Sequence, residues 1–133
     1  MAKSTAKKIE AKKPVVYFRP KELTCKCGCQ KNEFNADFLK LLRKIRIECD
    51  FPFPLTSAYR CSNHPEEASK TSTGAHPQGK AVDVLCSGER ALKLLEVALK
   101  HGIRRVGVSQ KGRSRFIHLD DGEDLPKPAL WSY

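Results

Sequence analysis

The sequence predicts an α+β fold in which helices pack on one face of a mostly antiparallel sheet and a cleft opens on the other face. Two segments carry apolar residues at the three- and four-residue spacing of an amphipathic helix, and several short segments alternate apolar and polar residues as strands do. The length of 133 residues fits one domain with its own core. No apolar run approaches the roughly 18 residues of a membrane span.

The first 13 residues form a basic arm with five lysines and one glutamate. We expect this arm to be disordered and residues 14–133 to form the folded domain. No apolar segment follows the lysines, so the sequence predicts no secretory signal and synthesis in the cytoplasm. Action outside that compartment would then require release by cell lysis or packaging into a particle.

The net charge of +10 favours a polyanionic partner, such as nucleic acid, an acidic membrane face or the anionic polymers of a bacterial envelope. A solvated tail without a docking role is the alternative interpretation of the arm. Nucleic acid is the weakest of these candidates, because no recognition motif accompanies the charge. We expect the domain to act as a monomer.

The first half of the domain contains one strong helical pattern. Residues 14–19 hold a short apolar run that predicts an edge strand or an anchoring segment. Asn35 is a plausible N-cap for a helix that ends near Cys49. Its apolar positions follow helical spacing: Phe38, Leu41, Leu42 and Ile45. Prolines at 52 and 54 prevent continuation, so residues 55–59 are predicted to be extended.

The second half alternates between loop, strand and helix signals. Residues 61–79 have the composition of a long functional loop, and residues 80–85 alternate as a strand. Ser87 is a plausible cap for a second helix that Gly102 terminates. Strands are predicted at 103–108 and 114–119, joined by a turn at 110–113. The apolar face of the second helix is predicted to include Leu92, Leu95 and Leu99.

The chain has six cysteines, three of which alternate in residues 25–29. This spacing differs from the C-x-x-C of common zinc fingers. The cluster could form a second metal site or disulfides with Cys49, Cys61 or Cys86. Without a secretory signal, we favour reduced thiols, with a structural disulfide as the second interpretation.

Two histidines and an aspartate carry the chemistry of the sequence. His76 precedes Asp83 by seven residues, and His118 lies in the last predicted strand. Strand alternation turns Asp83 and His118 away from the core, and His76 can reach them from the loop that precedes Asp83. Imidazole and carboxylate groups suit Zn²⁺, and three protein ligands leave one position for water, as in catalytic zinc sites.

Three segments together resemble the zinc D-Ala-D-Ala carboxypeptidase family, which includes bacteriophage endolysins and L-Ala-D-Glu endopeptidases. They are residues 57–60 (Ser-Ala-Tyr-Arg), 76–83 and 116–120 (Phe-Ile-His-Leu-Asp). The resemblance extends from about Phe18 to Trp131. It is strongest to the phage-borne and murein-endopeptidase branch, where a Phe-Arg-Pro-Lys-Glu-like start and a tryptophan near the carboxyl end recur.

The resemblance implies a hedgehog-like or DD-peptidase-like fold and a peptidoglycan peptide as substrate. It assigns His76, Asp83 and His118 to Zn²⁺. Arg60 matches the family arginine that binds substrate or stabilises the developing oxyanion, and a surface salt bridge is its alternative role. The bond that is cleaved, D-Ala-D-Ala, L-Ala-D-Glu or a cross-bridge, stays open at this point.

The general base is the point at which the chain departs from many relatives. Several of them carry a glutamate three residues before the last zinc histidine, where this chain has Arg115. Other relatives carry His-x-Asp, as in His118-Leu119-Asp120. Asp120 shares a strand face with His118 and is predicted to act as the base or to orient a ligand; a turn-starting aspartate is the alternative.

The sequence therefore predicts a zinc peptidase that acts on bacterial cell walls and is encoded by a phage or prophage. A non-catalytic envelope-binding or virion-structural module with the same scaffold is the alternative, because the glutamate is absent. Trp131 and Tyr133 either stack on a glycan or pack the carboxyl end onto the sheet. His64 is placed in the long loop, and His101 at a helix end needs no catalytic role.

Overall fold

The computed structural model describes residues 17–26, 34–60 and 75–133. Within these residues the chain has the predicted α+β fold, with five strands in the order β1-β2-β4-β3-β5. Neighbouring strands are antiparallel except β3 and β5, which are parallel. The strands are β1 (Leu55–Ser57), β2 (Ala81–Leu85), β3 (Arg105–Ser109), β4 (Phe116–Asp120) and β5 (Ala129–Ser132).

Three helices lie in the described residues: α1 (Pro20–Leu23), α2 (Ala36–Cys49) and α3 (Gly88–Lys100). The predicted cap of α2 is confirmed, because the side-chain oxygen of Asn35 accepts a hydrogen bond of 2.9 Å from the backbone N–H of Phe38. The helix ends where Asp50 adopts a left-handed conformation with φ of 61°. Among these described helices, none is both long and apolar enough to traverse a lipid bilayer.

The predicted apolar face of α3 is wrong. Leu92 and Leu99 are 66% and 42% exposed, and Leu95 is only partly buried against the core. Both stripes have helical spacing, so spacing alone does not identify the one that faces α2 and β4. Small residues on the inner stripe let the helix approach its neighbours closely. The inner stripe consists of Ala91, Leu94, Val97 and Ala98.

This orientation of α3 predicts opposite effects for two leucines on the same helix. Leu94 is fully buried, so Leu94→Ala should lower the free energy of unfolding by about 2–5 kcal/mol through lost burial and a cavity. Leu92→Ala should change it by less than about 0.5 kcal/mol, because Leu92 is mostly solvated. Urea denaturation monitored by circular dichroism measures both. Equal destabilisation by the two variants would contradict the orientation described here.

At both ends of the domain the structure differs from the sequence predictions. The described part of segment 14–19 is not a strand; Phe18 is only 2% exposed and anchors this segment in the core, as the alternative proposed. The sequence did not predict α1 or β5. The prolines at 126 and 128 obscure the strand pattern of β5, and its parallel pairing with β3 depends on chain folding. Residues 1–16 and 61–74, including the arm, His64 and most of the long loop, lie outside the described residues.

The three described cysteines, Cys25, Cys49 and Cys86, are all buried, and Cys49 and Cys86 are free thiols, in line with the preference for reduced thiols. Cys27, Cys29 and Cys61 lie outside the described residues. Burial raises the pKa of Cys49 and of Cys86 to about 11. At mildly alkaline pH both groups are therefore protonated thiols, which are poor nucleophiles.

We predict that Cys49 and Cys86 resist alkylation in the native protein. At pH 8 their thiolate populations should be on the order of a hundred-fold below that of an ordinary cysteine, and burial limits access further. Timed iodoacetamide labelling with peptide mass spectrometry measures this, with labelling in urea as the control. Modification of both residues within minutes in the native protein would contradict the prediction.

Candidate metal centre

The centre is built on the sheet face that points away from the helices. Asp83 on β2 and His118 on β4 are register partners, so their side chains rise side by side. Strand alternation sends the flanking residues of each strand to the opposite face, as the sequence predicted. These flanking residues, all 2% exposed or less, belong to the hydrophobic core: Val82, Val84, Ile117 and Leu119.

A tight turn before β2 delivers the third residue, His76. The backbone N–H of Gly79 donates to the carbonyl of His76 at 3.0 Å, and Gly79 adopts φ of 73°, which favours glycine. The turn sets the Nε2 atom of His76 3.5 Å from Oδ1 of Asp83. His76 therefore lies between the loop and β2, as predicted, and from there its side chain reaches the sheet face that carries Asp83.

The structure brings the three predicted metal ligands together. One ligand atom from each of His76, Asp83 and His118 lies within 4.8 Å of the others, and all three residues are buried. Nδ1 of His118 lies 2.9 Å from Oδ1 of Asp83, and the two imidazole centroids are 5.0 Å apart. Two ring nitrogens and a carboxylate oxygen thus converge on one point.

In each imidazole, the nitrogen that does not face Asp83 has a fixed partner. Nδ1 of His76 lies 2.6 Å from the carbonyl oxygen of Ala58, which only accepts, so in the neutral ring Nδ1 carries the proton and Nε2 has the lone pair that a metal ion would need. In His118 the roles are reversed, because Nε2 lies 2.5 Å from Oδ2 of Asp120 and Nδ1 faces Asp83. Metal-binding histidines are usually oriented in this way by an acceptor on their other nitrogen. The donor set therefore fits a divalent metal such as Zn²⁺.

Asp120 is held on every side by donors. It is 1% exposed, and its Oδ1 accepts from Nε of Arg105 at 2.7 Å and from the backbone N–H of Gly122 at 3.0 Å, while Oδ2 contacts His118. Arg105 also donates to the carbonyl of Pro126 at 2.8 Å. The side chain of Asp120 is thus fixed between the partly buried guanidinium of Arg105 and the imidazole of His118.

Electrostatics keep both carboxyl groups of the centre ionised. Burial raises the pKa of Asp83, but hydrogen bonds with His118 and His76 outweigh it and hold this pKa well below its usual range. Burial also raises the pKa of Asp120, yet contacts with His118, the Gly122 N–H and Arg105 lower it overall. Burial lowers the pKa of His118, but both aspartates raise it above its ordinary value. A bound cation would take the place of the proton on Nδ1 of His118, which faces Asp83, while the proton on Nε2 would stay with Asp120.

Arg60 lies beside the ligand cluster and is only 8% exposed. Its Nε donates to Oγ of Ser57 at 2.8 Å, and its Nη2 donates to Oδ2 of Asp83 at 3.3 Å. Arg60 therefore contacts Oδ2 of Asp83, the oxygen that faces neither histidine. This contact keeps Oδ1 of Asp83 directed toward His76 and His118. The surface salt-bridge alternative does not describe a residue buried this deeply.

A cavity of about 710 Å³ opens over the centre and contains every site residue that the sequence predicted. Arg115, which occupies the position of the relatives' glutamate, is exposed, donates to the carbonyl of Gly112 and does not line this cavity. Arg105 was not among the predicted site residues, although strand alternation with Val106 and Val108 places it on the site face. The cavity is also lined by Lys26, Ser114 and Phe116, for which the sequence predicted no lining role.

Two imidazoles and a carboxylate with fixed outer partners, at the base of an open cavity, define a metal-dependent hydrolase centre. The model of the Peptidase M15 family matches residues 16–120, which is most of the chain. The protein therefore belongs to the M15 family of zinc D-Ala-D-Ala carboxypeptidases and is a metallopeptidase. No curated protein matches the chain.

Proposed function

We propose that this metallopeptidase is zinc-dependent and hydrolyses peptide bonds of bacterial peptidoglycan, in the stem peptide or in a cross-link. The single observation that carries the proposal is the convergence of His76, Asp83 and His118, with the second nitrogen of each imidazole held by a buried acceptor. Membership of the M15 family supports the peptide substrate and the association with peptidoglycan.

In this proposal His76, Asp83 and His118 hold the zinc ion. Bound zinc would supply an activated water and polarise the scissile carbonyl. Arg60 binds the substrate or stabilises the oxyanion, because its buried guanidinium lies in the same cavity as the ligands. Ser57 keeps the guanidinium plane in position through its contact with Nε.

Asp120 has two candidate roles, general base and orienting residue, and its contacts favour the second. Both of its oxygens are occupied by donors, and one of these donors is a ligand histidine. A base must accept a proton from water, which would compete with Arg105 and His118 for the same oxygens. We therefore assign Asp120 the task of fixing the tautomer and direction of His118.

We further propose that the protein is phage or prophage encoded and reaches the cell wall after release, lysis or virion delivery. The resemblance to the phage-borne branch supports this setting. The net charge of +10 would favour approach to anionic polymers of the envelope, with the lysine-rich arm contributing.

A non-catalytic envelope-binding or virion-structural module is the second candidate. One observation favours it: Arg115 stands where several relatives carry an acidic residue, and it does not line the cavity. A module of this kind would retain the metal as a structural element without turning over substrate.

Purified peptidoglycan distinguishes the two candidates. For a peptidase, turbidity of a cell-wall suspension should fall, the fall should stop with EDTA, and it should resume when Zn²⁺ is restored. Mass spectrometry of the released muropeptides would then identify the bond. Stoichiometric zinc without any released peptide would contradict the peptidase and support the module.

A further inference from the structure

The carboxyl-terminal strand β5 adds a wall to the metal cavity. Register across β2, β4, β3 and β5 sets Asp83, His118, Gly107 and Trp131 in one row on the site face. Strand alternation places Tyr133, two residues after Trp131, on the same face in the adjoining row. Its ring packs against Phe116 at a centroid distance of 5.1 Å.

Gly107 provides the space that this wall occupies. A Cβ at Gly107 would lie 2.6 Å from Nε1 of Trp131 and 3.0 Å from Cε2 of Tyr133, so both rings lie over its backbone. Trp131 thereby crosses β3 and approaches His118 to a ring-centroid distance of 5.2 Å. The guanidinium carbon of Arg105 lies over the Trp131 ring, 5.0 Å from the ring centroid. Glycine at position 107 thus leaves room for Trp131 of β5 and for Tyr133, which follows the strand, to lie over β3.

Tyr133 leans from its own row toward the ligands. Its backbone N–H donates to the carbonyl of Val108 at 3.3 Å, which fixes the main chain, and its side chain lines the cavity with His76 and Arg60. Burial raises the pKa of Tyr133, and a hydrogen bond with the side chain of Trp131 partly offsets this rise. The indole N–H of Trp131 only donates, so the hydroxyl oxygen of Tyr133 accepts this bond and its hydrogen can still be donated. Its hydroxyl is therefore a protonated donor at neutral pH, within electrostatic range of the centre.

The two hydroxyl groups of β1 contact Arg60 and Asp83, which belong to the centre itself. Oγ of Ser57 accepts from Nε of Arg60 at 2.8 Å, and Oγ1 of Thr56 donates to the carbonyl of Asp83 at 3.4 Å. Tyr133 is 54% exposed, so its hydroxyl can meet a molecule that enters the cavity. These positions distinguish Tyr133 from the serine and threonine of β1.

We propose that the hydroxyl of Tyr133 donates a hydrogen bond to the substrate carbonyl oxygen at the metal centre, and that this bond strengthens as the oxygen gains negative charge. The proton stays on Tyr133 throughout, so no bond to the phenol breaks. This inference rests on the proposed peptidase function. It makes Tyr133 a catalytic residue and the pair Gly107 and Trp131 the elements that position it.

The test compares Tyr133→Phe with wild type in the zinc-loaded full chain. The variant should bind zinc equally and lower kcat on solubilised peptidoglycan by about 100-fold, with KM changed by less than about twofold. Its affinity for a phosphinate analogue of D-alanyl-D-alanine, a tetrahedral anion, should fall about 10-fold by calorimetry. Tyr17→Phe is the matched control, because Tyr17 packs against Arg46 outside the cavity and should leave all values unchanged.

Each outcome decides the inference. Equal kcat and equal phosphinate affinity in Tyr133→Phe and wild type would overturn it. If wild type binds the phosphinate but hydrolyses nothing, the peptidase proposal fails. The difference in phosphinate affinity between Tyr133→Phe and wild type then tests the role of Tyr133 by itself. Absence of both binding and hydrolysis in zinc-loaded wild type would overturn both proposals.

Discussion

Replacing His118 with alanine is expected to abolish stoichiometric zinc binding and to reduce hydrolysis of peptidoglycan by several orders of magnitude. His118 provides one of the three converging ligand atoms, and its loss leaves Asp83 and His76 as a pair without the third donor. It also removes the imidazole that bridges two buried carboxylates at 2.9 Å and 2.5 Å. Elemental analysis after dialysis against a weak chelator measures the metal, and muropeptide release measures the activity.

His101→Ala is the matched control for this variant. His101 caps the end of α3, and its Nε2 lies 2.9 Å from Oε1 of Glu48. It does not line the metal cavity. It should retain full zinc content and activity. Retention of one zinc per chain in His118→Ala would remove His118 from the ligand set and with it the proposed centre.

Replacing Asp120 with asparagine is expected to weaken zinc affinity by about 10- to 100-fold, with a parallel loss of activity at limiting zinc. The amide keeps the shape of the side chain but removes the charge that holds Nε2–H of His118 and that pairs with Arg105. The ligand histidine then loses its fixed tautomer. Competition with a chromophoric chelator measures the affinity, and activity is compared again at saturating zinc.

Asp121→Asn provides the control one residue away. Asp121 is exposed and pairs with Lys127 on the surface, so its variant should match wild type. The result for Asp120 also separates its two candidate roles. Unchanged zinc affinity with a loss of kcat that excess zinc does not restore would support Asp120 as the general base and contradict its orienting role.

The convergence of the three candidate ligand residues could be predicted because their geometry follows from local rules. Alternation in β2 and β4 determines that Asp83 and His118 leave the core on one face, and the valines, isoleucine and leucine between them supply the signal. The turn residues before β2 place His76 at the edge of the same strand. The cap at Asn35 and the end of α2 near Cys49 are equally local, and the structure confirms both.

Contacts between distant segments could not be predicted in the same way. The inner face of α3 was assigned to the wrong leucines, because two stripes have helical spacing and only packing against α2 and β4 selects one. The pairing of Arg105 with Asp120 needs β3 beside β4, and the approach of Trp131 to His118 needs a glycine on the strand between them. None of these neighbours is specified within a short window of sequence.

By itself the sequence determined that Asp83 and His118 share one strand face and that His76 lies at its edge, which makes these three residues the candidate metal ligands. These properties depend on residue type and on the two-residue period of a strand, both of which are local. Only the tertiary structure decided which nitrogen of each imidazole is available, what holds Asp120 and which aromatic residues line the cavity. Those properties depend on the register among four strands, and register is set by the packing of the whole sheet rather than by any one segment.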